Sequence, residues 1–272
     1  MITGTTRLVG LLGSPVAGSL SPRMQNAAFA ARGCDWAYVP LEVAPERLAA
    51  AMGGLVAFGF VGANVTIPHK STVLGLCDEL DDVARRAGSV NTLVIDGGRV
   101  LGSSTDGEAV AGAVATRGAR VLLLGAGGSA RAVGAALAAA GAASIAVAAR
   151  DPARARELAG ALGQGARPAS GWPPAGEEDA TLVVNATPIR DTLVYRPLPG
   201  QEVVELAYNA DGEPTALEAA ATAVGCRVVD GREVLVRQGA ASFQRWTGME
   251  PPLETMREAV RLEPPPDVRS RT

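Results

Sequence analysis

Short apolar runs alternate with polar and glycine-rich stretches along the chain, and this pattern predicts strands and helices in regular succession. Apolar runs predict strands at 6–13, 37–43, 62–67, 90–95, 99–102, 120–124, 144–149, 180–185, 202–206 and 227–229. The segments between them predict helices at 21–32, 45–58, 72–80, 106–116, 130–140, 152–162, 215–224, 233–243 and 253–261. Strands that alternate with helices are typical of a doubly wound α/β protein with right-handed crossovers.

Local signals support several of these boundaries. Ser21 followed by Pro22 is typical of a helix start, with the serine at the N-cap and the proline in the first helical position. Asp96-Gly97-Gly98 predicts the turn of a hairpin. Segment 120–124 is apolar almost throughout, which predicts a strand in a parallel sheet covered on both faces.

Composition and charge mainly exclude functions. The chain has 272 residues, enough for two domains, and 47% of them are hydrophobic, which provides a sizeable core. A net charge of −3 without a long basic run makes nucleic acid and anionic membranes poor partner candidates. Segment 132–149 carries no charge, but it is mostly Ala and Gly and breaks at Gly141, so it predicts a helix and a strand rather than a membrane span.

The cysteines and the histidine bear on the redox compartment and on metal binding. The three cysteines, Cys34, Cys77 and Cys226, are scattered, odd in number and without CxxC spacing. This pattern favours a reducing cytoplasm and argues against a disulfide framework and a zinc site. His69 is the single histidine, so a two-histidine metal motif is excluded and we interpret it as a satisfied turn residue. No metal and no secretory signal peptide are expected.

A glycine-rich loop carries the clearest nucleotide signal. It follows the strand at 120–124 and opens a helix, which is the context a dinucleotide-binding GxGxxA motif requires: Gly125, Ala126, Gly127, Gly128, Ser129 and Ala130. Glycines let the backbone approach a pyrophosphate, which the helix N-terminus then binds through its amides. The loop therefore predicts dinucleotide binding.

The end of the next strand bears on the choice of nucleotide. An acidic residue there binds the ribose hydroxyl of NAD, whereas an arginine favours the 2′-phosphate of NADP. Arg150 and Arg154 favour NADP, and Asp151 before a proline also suits a helix N-cap. NAD remains possible, as does the alternative that both arginines are simply solvated.

A second polar segment, Asn64-Val-Thr-Ile-Pro-His-Lys70, ends an apolar run. In an extended segment Asn64 and Thr66 point the same way, and Pro68 restricts the residue before it. Such a rigid polar edge suits a small hydroxylated molecule, although it is also compatible with a strand end and a surface lysine.

Lys70 and Asp106 are the candidate acid–base pair, because an amine beside a carboxylate can hold and transfer a proton. Each alone is equally compatible with a surface charge.

Together these segments resemble the shikimate dehydrogenase family over nearly the whole chain. The matching motifs are Gly18-Ser-Leu-Ser-Pro22, Asn64–Lys70 as NVTxPxK, Ala87-Gly-Ser-Val-Asn-Thr92, Ser104-Thr-Asp-Gly107, Gly125–Ala130, and Asp230-Gly231 through Gln238, extended by Ser242-Phe243 and Trp246-Thr-Gly248. The resemblance implies reversible reduction of 3-dehydroshikimate with NADPH, a step of aromatic amino acid biosynthesis.

The resemblance also implies residue roles. Lys70 and Asp106 would be the acid–base pair, and the other assignments fall into two sets. The substrate would be a cyclitol acid. Its carboxylate would contact Ser19, Ser21, Thr66 and Tyr208. Its ring hydroxyls would contact Asn64, Asn91 and Gln238. The cofactor would contact the glycine loop, Arg150, Arg154, Leu206 and Gly231.

Four positions depart from the family pattern. The family usually has histidine at Gly18, asparagine at Ser104, asparagine at Ala149 and methionine at Val234. These changes leave a paralogue acting on quinate or an aminated shikimate, with NADP or NAD, as an alternative. A third reading is a non-enzymatic nucleotide-binding module, which retention of Lys70 and Asp106 disfavours.

The resemblance implies two domains. Residues 1–105, completed by 233–262, would form an α/β substrate-binding domain, and 106–232 a Rossmann-type NADP-binding domain, with the site between them. Segment 263–272 is expected to be a disordered tail. A monomer and a homodimer are both compatible with the sequence.

Overall fold

The computed structural model describes residues 2–163 and 165–261, and it contains two six-stranded sheets. The first sheet has the order β2-β1-β3-β5-β6-β4. Its strands are β1 Arg7–Gly13, β2 Trp36–Glu42, β3 Gly62–Val65, β4 Glu79–Leu80, β5 Thr92–Asp96 and β6 Arg99–Ser103. The β1 strand pairs in parallel with β2 and β3, whereas β5 runs antiparallel to both β3 and β6. The hairpin predicted between β5 and β6 is confirmed.

The second sheet is entirely parallel and has the order β12-β11-β10-β7-β8-β9. Its strands are β7 Arg120–Leu124, β8 Ser144–Ala148, β9 Ala166–Pro168, β10 Leu182–Asn185, β11 Glu202–Glu205 and β12 Arg227–Val229. After β9 the chain returns to the other side of β7, so the strand order reverses between β7 and β10. This switch point confirms the doubly wound fold, and ligands of such sheets bind at the carboxyl ends of the strands flanking it.

Nine α-helices cover the sheets in the described part of the chain. They are α1 Ser21–Ala31, α2 Leu48–Ala57, α3 Asp82–Ala87, α4 Asp106–Ala111, α5 Gly128–Ala139, α6 Pro152–Leu162, α7 Ala216–Ala223, α8 Gly231–Thr247 and α9 Leu253–Arg261. The uncharged segment 132–149 is divided between α5 and β8, as predicted. Among the described residues no helix is long and apolar enough to cross a membrane.

The two C-terminal helices pack mainly against the first sheet, although Val234 near the start of α8 lies in the core of the second sheet. Phe243 of α8 stacks on Phe29 of α1 with ring centroids 5.5 Å apart. Trp246 donates its indole N–H to the carbonyl of Leu93 in β5 at 2.8 Å. Met256 of α9 is fully buried in the apolar cluster that also contains Phe29, Phe243 and Trp246. These large apolar contacts join the chain's end to its beginning, as expected for helices that return to the N-terminal domain.

Some local predictions were wrong. The helix predicted at 72–80 is a short 3₁₀ turn, Thr72–Leu76, followed by β4, because β4 pairs with β6. The α3 helix was not predicted, although Asp81 caps it by accepting a hydrogen bond from the Ala84 N–H. Ser21 is the first residue of α1 and not its N-cap. The predicted tail at 263–272 lies outside the described residues.

Candidate active site

The glycine loop leaves β7 at its carboxyl end and turns into α5. Gly125 has φ +113°, a conformation that other residues rarely adopt, and its N–H donates to the carbonyl of Ala148 at 2.7 Å. A Cβ on Gly128 would lie 2.8 Å from Cβ of Lys70 and 2.9 Å from Oγ of Ser89. Glycine at 128 therefore lets the second sheet's loop lie directly against the segment that carries Lys70.

A cavity of about 650 Å³, here called the glycine-loop cavity, opens beside this loop. Its lining includes Gly125, Ala126, Gly127, Gly128, Ser129, Ala149, Arg150, Asp151, Arg154 and Trp172. The N-cap of α5 is Gly127, which has no side chain that could accept a hydrogen bond from the first amides of the helix. Amides at a helix start beside two arginines suit a phosphorylated nucleotide.

Asp151 has the structural role that its position before a proline predicts. Its Oδ1 accepts from the Ala153 N–H at 2.9 Å and so caps α6. Its other oxygen lies 3.7 Å from Nε of Arg154, whose side chain remains 71% exposed. The carboxylate is therefore engaged by the helix, while the guanidinium of Arg154 extends into solvent beside the cavity.

Lys70 and Asp106 form an ion pair. The distance from Lys70 Nζ to Asp106 Oδ2 is 2.5 Å, and the two side chains are 14% and 8% exposed. Lys70 Nζ also donates to Oγ of Ser129 at 3.0 Å. An ammonium group has three N–H donors, so two are engaged and one remains for a third acceptor. Lys70 is also the only lysine among the 25 lysines and arginines of the sequence.

Asn91 holds the carboxylate of this pair in place. Its Nδ2 donates to Asp106 Oδ1 at 2.7 Å and to Thr105 Oγ1 at 2.9 Å. Its Oδ1 accepts from the backbone N–H of Thr105 at 2.8 Å. Asn91 is buried, so these bonds are protected from water. Asp106 therefore has one oxygen fixed by an amide and the other on the lysine.

A second cavity of about 500 Å³, here called the serine cavity, lies on the other side of Lys70. All the side chains predicted as catalytic or substrate-binding line it: Ser19, Ser21, Asn64, Thr66, Lys70, Asn91, Asp106, Tyr208 and Gln238. Lys70 and Ser129 are among the residues that line both cavities, so the cavities adjoin beside the amine. Leu206 and Gly231, expected with the cofactor, line the serine cavity, and Ala130 is buried in the core.

Tyr38 and Ser242 hold the cavity residue Asn64 in place, and neither was assigned a role from the sequence. Tyr38 donates its hydroxyl to Asn64 Oδ1 at 2.8 Å, and burial raises the pKa of this phenol. Ser242 accepts from Asn64 Nδ2 at 3.0 Å. The Tyr208 hydroxyl accepts from the backbone N–H of Leu20 at 3.2 Å. Tyr38 lies in an apolar strand, where only tertiary contacts reveal its polar role.

The four residues that depart from the family pattern lie in different parts of the structure. A Cβ on Gly18 would meet no atom within 4 Å, so the cavity wall is open there. Ser104 is fully buried, and its Oγ has no hydrogen-bond partner within the described residues. Ala149 lines the glycine-loop cavity, while Val234 is a buried core residue that also reaches the serine cavity.

Glu205, at the end of β11, is a fully buried carboxyl group beneath the site. It accepts hydrogen bonds from Asn185 Nδ2 at 2.9 Å, from the Ala207 N–H at 2.8 Å and from Thr215 Oγ1 at 3.1 Å. Burial raises its pKa to about 7 despite these donors. Glu205 thus connects the loops that follow β10 and β11, and both loops line the serine cavity.

We expect Glu205 to make stability depend on pH. Because its pKa is raised from 4.5 to about 7 in the folded protein, its contribution is fully present below pH 4.5 and is lost as pH rises through 7. Relative to Glu205→Gln, the wild-type free energy of unfolding should fall by about 3 kcal/mol over this window. Urea denaturation between pH 4.5 and 8 measures the difference. The exposed Glu178→Gln serves as control, and an equal pH slope in Glu205→Gln and wild type would contradict the prediction.

A doubly wound sheet with a glycine loop at its switch point, next to a mixed sheet and an amine–carboxylate pair formed by Lys70 and Asp106, is typical of a two-domain α/β dehydrogenase. Family models agree with this class: "Shikimate dehydrogenase substrate binding domain" matches residues 11–93. "Shikimate / quinate 5-dehydrogenase" matches 109–171, and "Shikimate 5'-dehydrogenase C-terminal domain" matches 231–261.

Individual relatives cover the chain almost completely. A Moorella thermoacetica protein named shikimate dehydrogenase (NADP(+)) is 43% identical over 96% of this chain and 94% of its own length. A crystal structure of a shikimate dehydrogenase with NADP+ has a TM-score of 0.88 at 34% identity, covering 96% of each chain. The Thermus thermophilus enzyme with NADP(H) and shikimate has a TM-score of 0.82 at 34% identity, covering 94% of this chain and 99% of that one. The chain belongs to the shikimate dehydrogenase family.

Proposed function

We propose that this protein is an NADP-dependent shikimate dehydrogenase that interconverts 3-dehydroshikimate and shikimate. The observation that carries the proposal is the Lys70–Asp106 pair at 2.5 Å, located where the glycine-loop cavity adjoins the serine cavity. Hydride transfer requires cofactor and substrate to meet beside a proton donor, and this is the point where the two cavities meet. Relatives named for this activity support the same assignment.

Lys70 acts as the general acid and base. When bound, the nucleotide supplies or accepts the hydride. In reduction, Lys70 Nζ donates a proton to the carbonyl oxygen as negative charge develops there, and in oxidation the neutral amine accepts the hydroxyl proton. Arginine cannot exchange a proton in this way, and this is the one basic position of the chain occupied by lysine. Asp106 balances the charge of the ammonium form and, with Ser129, fixes its direction.

The remaining polar residues bind the two reactants. Ser19, Ser21, Thr66 and Tyr208 would bind the substrate carboxylate, and Asn64, Asn91 and Gln238 its ring hydroxyls. On the other side, amides of residues 125–129 would bind the pyrophosphate, while Arg150 and Arg154 would bind the 2′-phosphate. Leu206 and Gly231 would lie where the nicotinamide end meets the substrate.

The same contacts support the expected domain division. The first sheet with α8 and α9 would form the substrate-binding domain, residues 1–105 and 233–262. The second sheet would form the NADP-binding domain, residues 106–232.

A second candidate keeps the chemistry but changes the substrate or the cofactor. The open space at Gly18 leaves room beside the carboxylate-binding serines, which would suit quinate or an aminated shikimate. Asp151 lies in the glycine-loop cavity, where an acidic residue would accept the ribose hydroxyl of NAD. Its engagement as the cap of α6 favours NADP over this alternative.

A four-way assay of the purified protein separates these candidates. Shikimate and quinate are each combined with NADP and NAD, and formation of reduced nucleotide is followed. We expect the highest kcat/KM for shikimate with NADP. A preference for quinate or NAD would establish the second candidate. Binding of NADPH without turnover of any cyclitol acid would instead indicate a nucleotide-binding module that is not an enzyme.

A further inference from the structure

Arg190 lies at the edge of the serine cavity on the second sheet's side. It follows β10, and its backbone is fixed because its carbonyl accepts the N–H of Ala216 at 2.7 Å. Its guanidinium is exposed, and Nη1 donates one long hydrogen bond, 3.3 Å, to the carbonyl of Tyr208. Tyr208 in turn contacts Leu20, between the two cavity serines. The backbone is therefore anchored while most of the guanidinium donors remain available.

The charges that line the serine cavity do not balance without an anion. Lys70, Asp106 and Arg190 are the charged residues that line it, and the first two neutralise each other at 2.5 Å. In the described part of the chain, Arg190 has no carboxylate within salt-bridge distance. The cavity therefore carries one excess positive charge, on the guanidinium at its edge.

The two serines that line the cavity from the first sheet's side are neutral donors. They are Ser19 and Ser21, and Gly18 leaves open space beside them. Hydroxyl groups can orient a carboxylate but do not compensate its charge, and desolvation of an uncompensated anion is costly. A guanidinium has a planar fork of donors that matches a carboxylate and makes stronger, charge-assisted bonds.

We infer that Arg190 is a specificity-determining residue that binds the carboxylate of the substrate from the second sheet's side. The carboxylate would then lie between the serines of the first sheet and the arginine of the second. Substrate would bridge the two sheets through its charged group, and neutral analogues would be selected against. This inference rests on the proposed function, since it requires a carboxylic acid substrate.

The test compares an acid with its neutral ester. The KM values of shikimate and of its methyl ester are measured with wild type, Arg190→Gln, Arg190→Lys and the control Arg196→Gln. Arg196 is exposed, lies six residues further along and lines none of the cavities described above. In Arg190→Gln we expect the KM of shikimate to rise about ten-fold and that of the ester to stay unchanged. The KM of shikimate for Arg190→Lys should lie between the values for wild type and Arg190→Gln, and that for Arg196→Gln should equal the wild-type value.

Salt provides a second readout. Added NaCl should raise the KM of shikimate for wild type but much less for Arg190→Gln, because the guanidinium–carboxylate attraction is screened. Equal effects of Arg190→Gln on acid and ester would assign Arg190 only to positioning Tyr208 and overturn the inference, as would no effect on either. A wild-type protein that turns over neither compound would overturn the proposed function, and the role of Arg190 in it.

Discussion

Replacing Lys70 by arginine is expected to lower kcat by about 10³-fold while KM changes little. The substitution preserves the positive charge beside Asp106, so the buried carboxylate keeps a partner and the fold is retained. It removes only the ability to release and accept a proton, since a guanidinium stays protonated. Steady-state kinetics of shikimate oxidation with NADP measure the loss.

The matched variant Lys70→Ala separates charge from proton transfer. If proton transfer is the role of Lys70, both variants lose turnover to a similar degree, although the alanine variant also leaves Asp106 unpaired. Retention of NADPH binding and of the circular dichroism spectrum verifies that each is folded. A Lys70→Arg variant that keeps wild-type turnover would show that only the charge is required. Because the sequence contains one lysine, a lysine-specific ¹⁵N label gives a single side-chain signal that follows the amine directly.

Removing both Arg150 and Arg154 is expected to raise the KM of NADP by about 100-fold and to leave that of NAD nearly unchanged. Each charge-assisted bond to a phosphate contributes about 1.5–3 kcal/mol. Both arginines line the glycine-loop cavity beyond the loop that would hold the pyrophosphate. Only NADP carries the 2′-phosphate, so the loss should appear for one nucleotide alone.

Single variants and a neighbouring arginine make this test specific. Arg156 is an exposed residue of α6, the helix that contains Arg154, but it does not line the glycine-loop cavity. Arg156→Ala should therefore leave the KM values of NADP and NAD unchanged. We expect Arg150→Ala to have a larger effect than Arg154→Ala, because Asp151 already attracts Arg154. An equal rise for NAD and NADP would mean that the arginines act on the shared part of the nucleotide or on the fold.

Strong local signals were sufficient for much of the second sheet. The α6 helix has the predicted bounds because Asp151 caps it and Pro152 follows. The apolar strand β7 and the glycine loop were also located correctly, since burial on both faces and a tight turn leave clear sequence patterns. The region of β4 and α3 was not, because a two-residue strand exists only through its pairing with β6. No local periodicity encodes such a pairing.

By itself, the sequence determined the doubly wound fold, the glycine loop, and Lys70 and Asp106 as candidates. Only the tertiary structure brought Lys70 within 2.5 Å of Asp106 and into hydrogen-bond contact with Ser129. It buried Glu205 beneath the site. It also placed Arg190, which no motif marks, at the edge of the serine cavity. The physical reason is that periodicity and turn chemistry act between neighbours in sequence. Ion pairing and desolvation instead depend on which distant segments the packed sheets bring together.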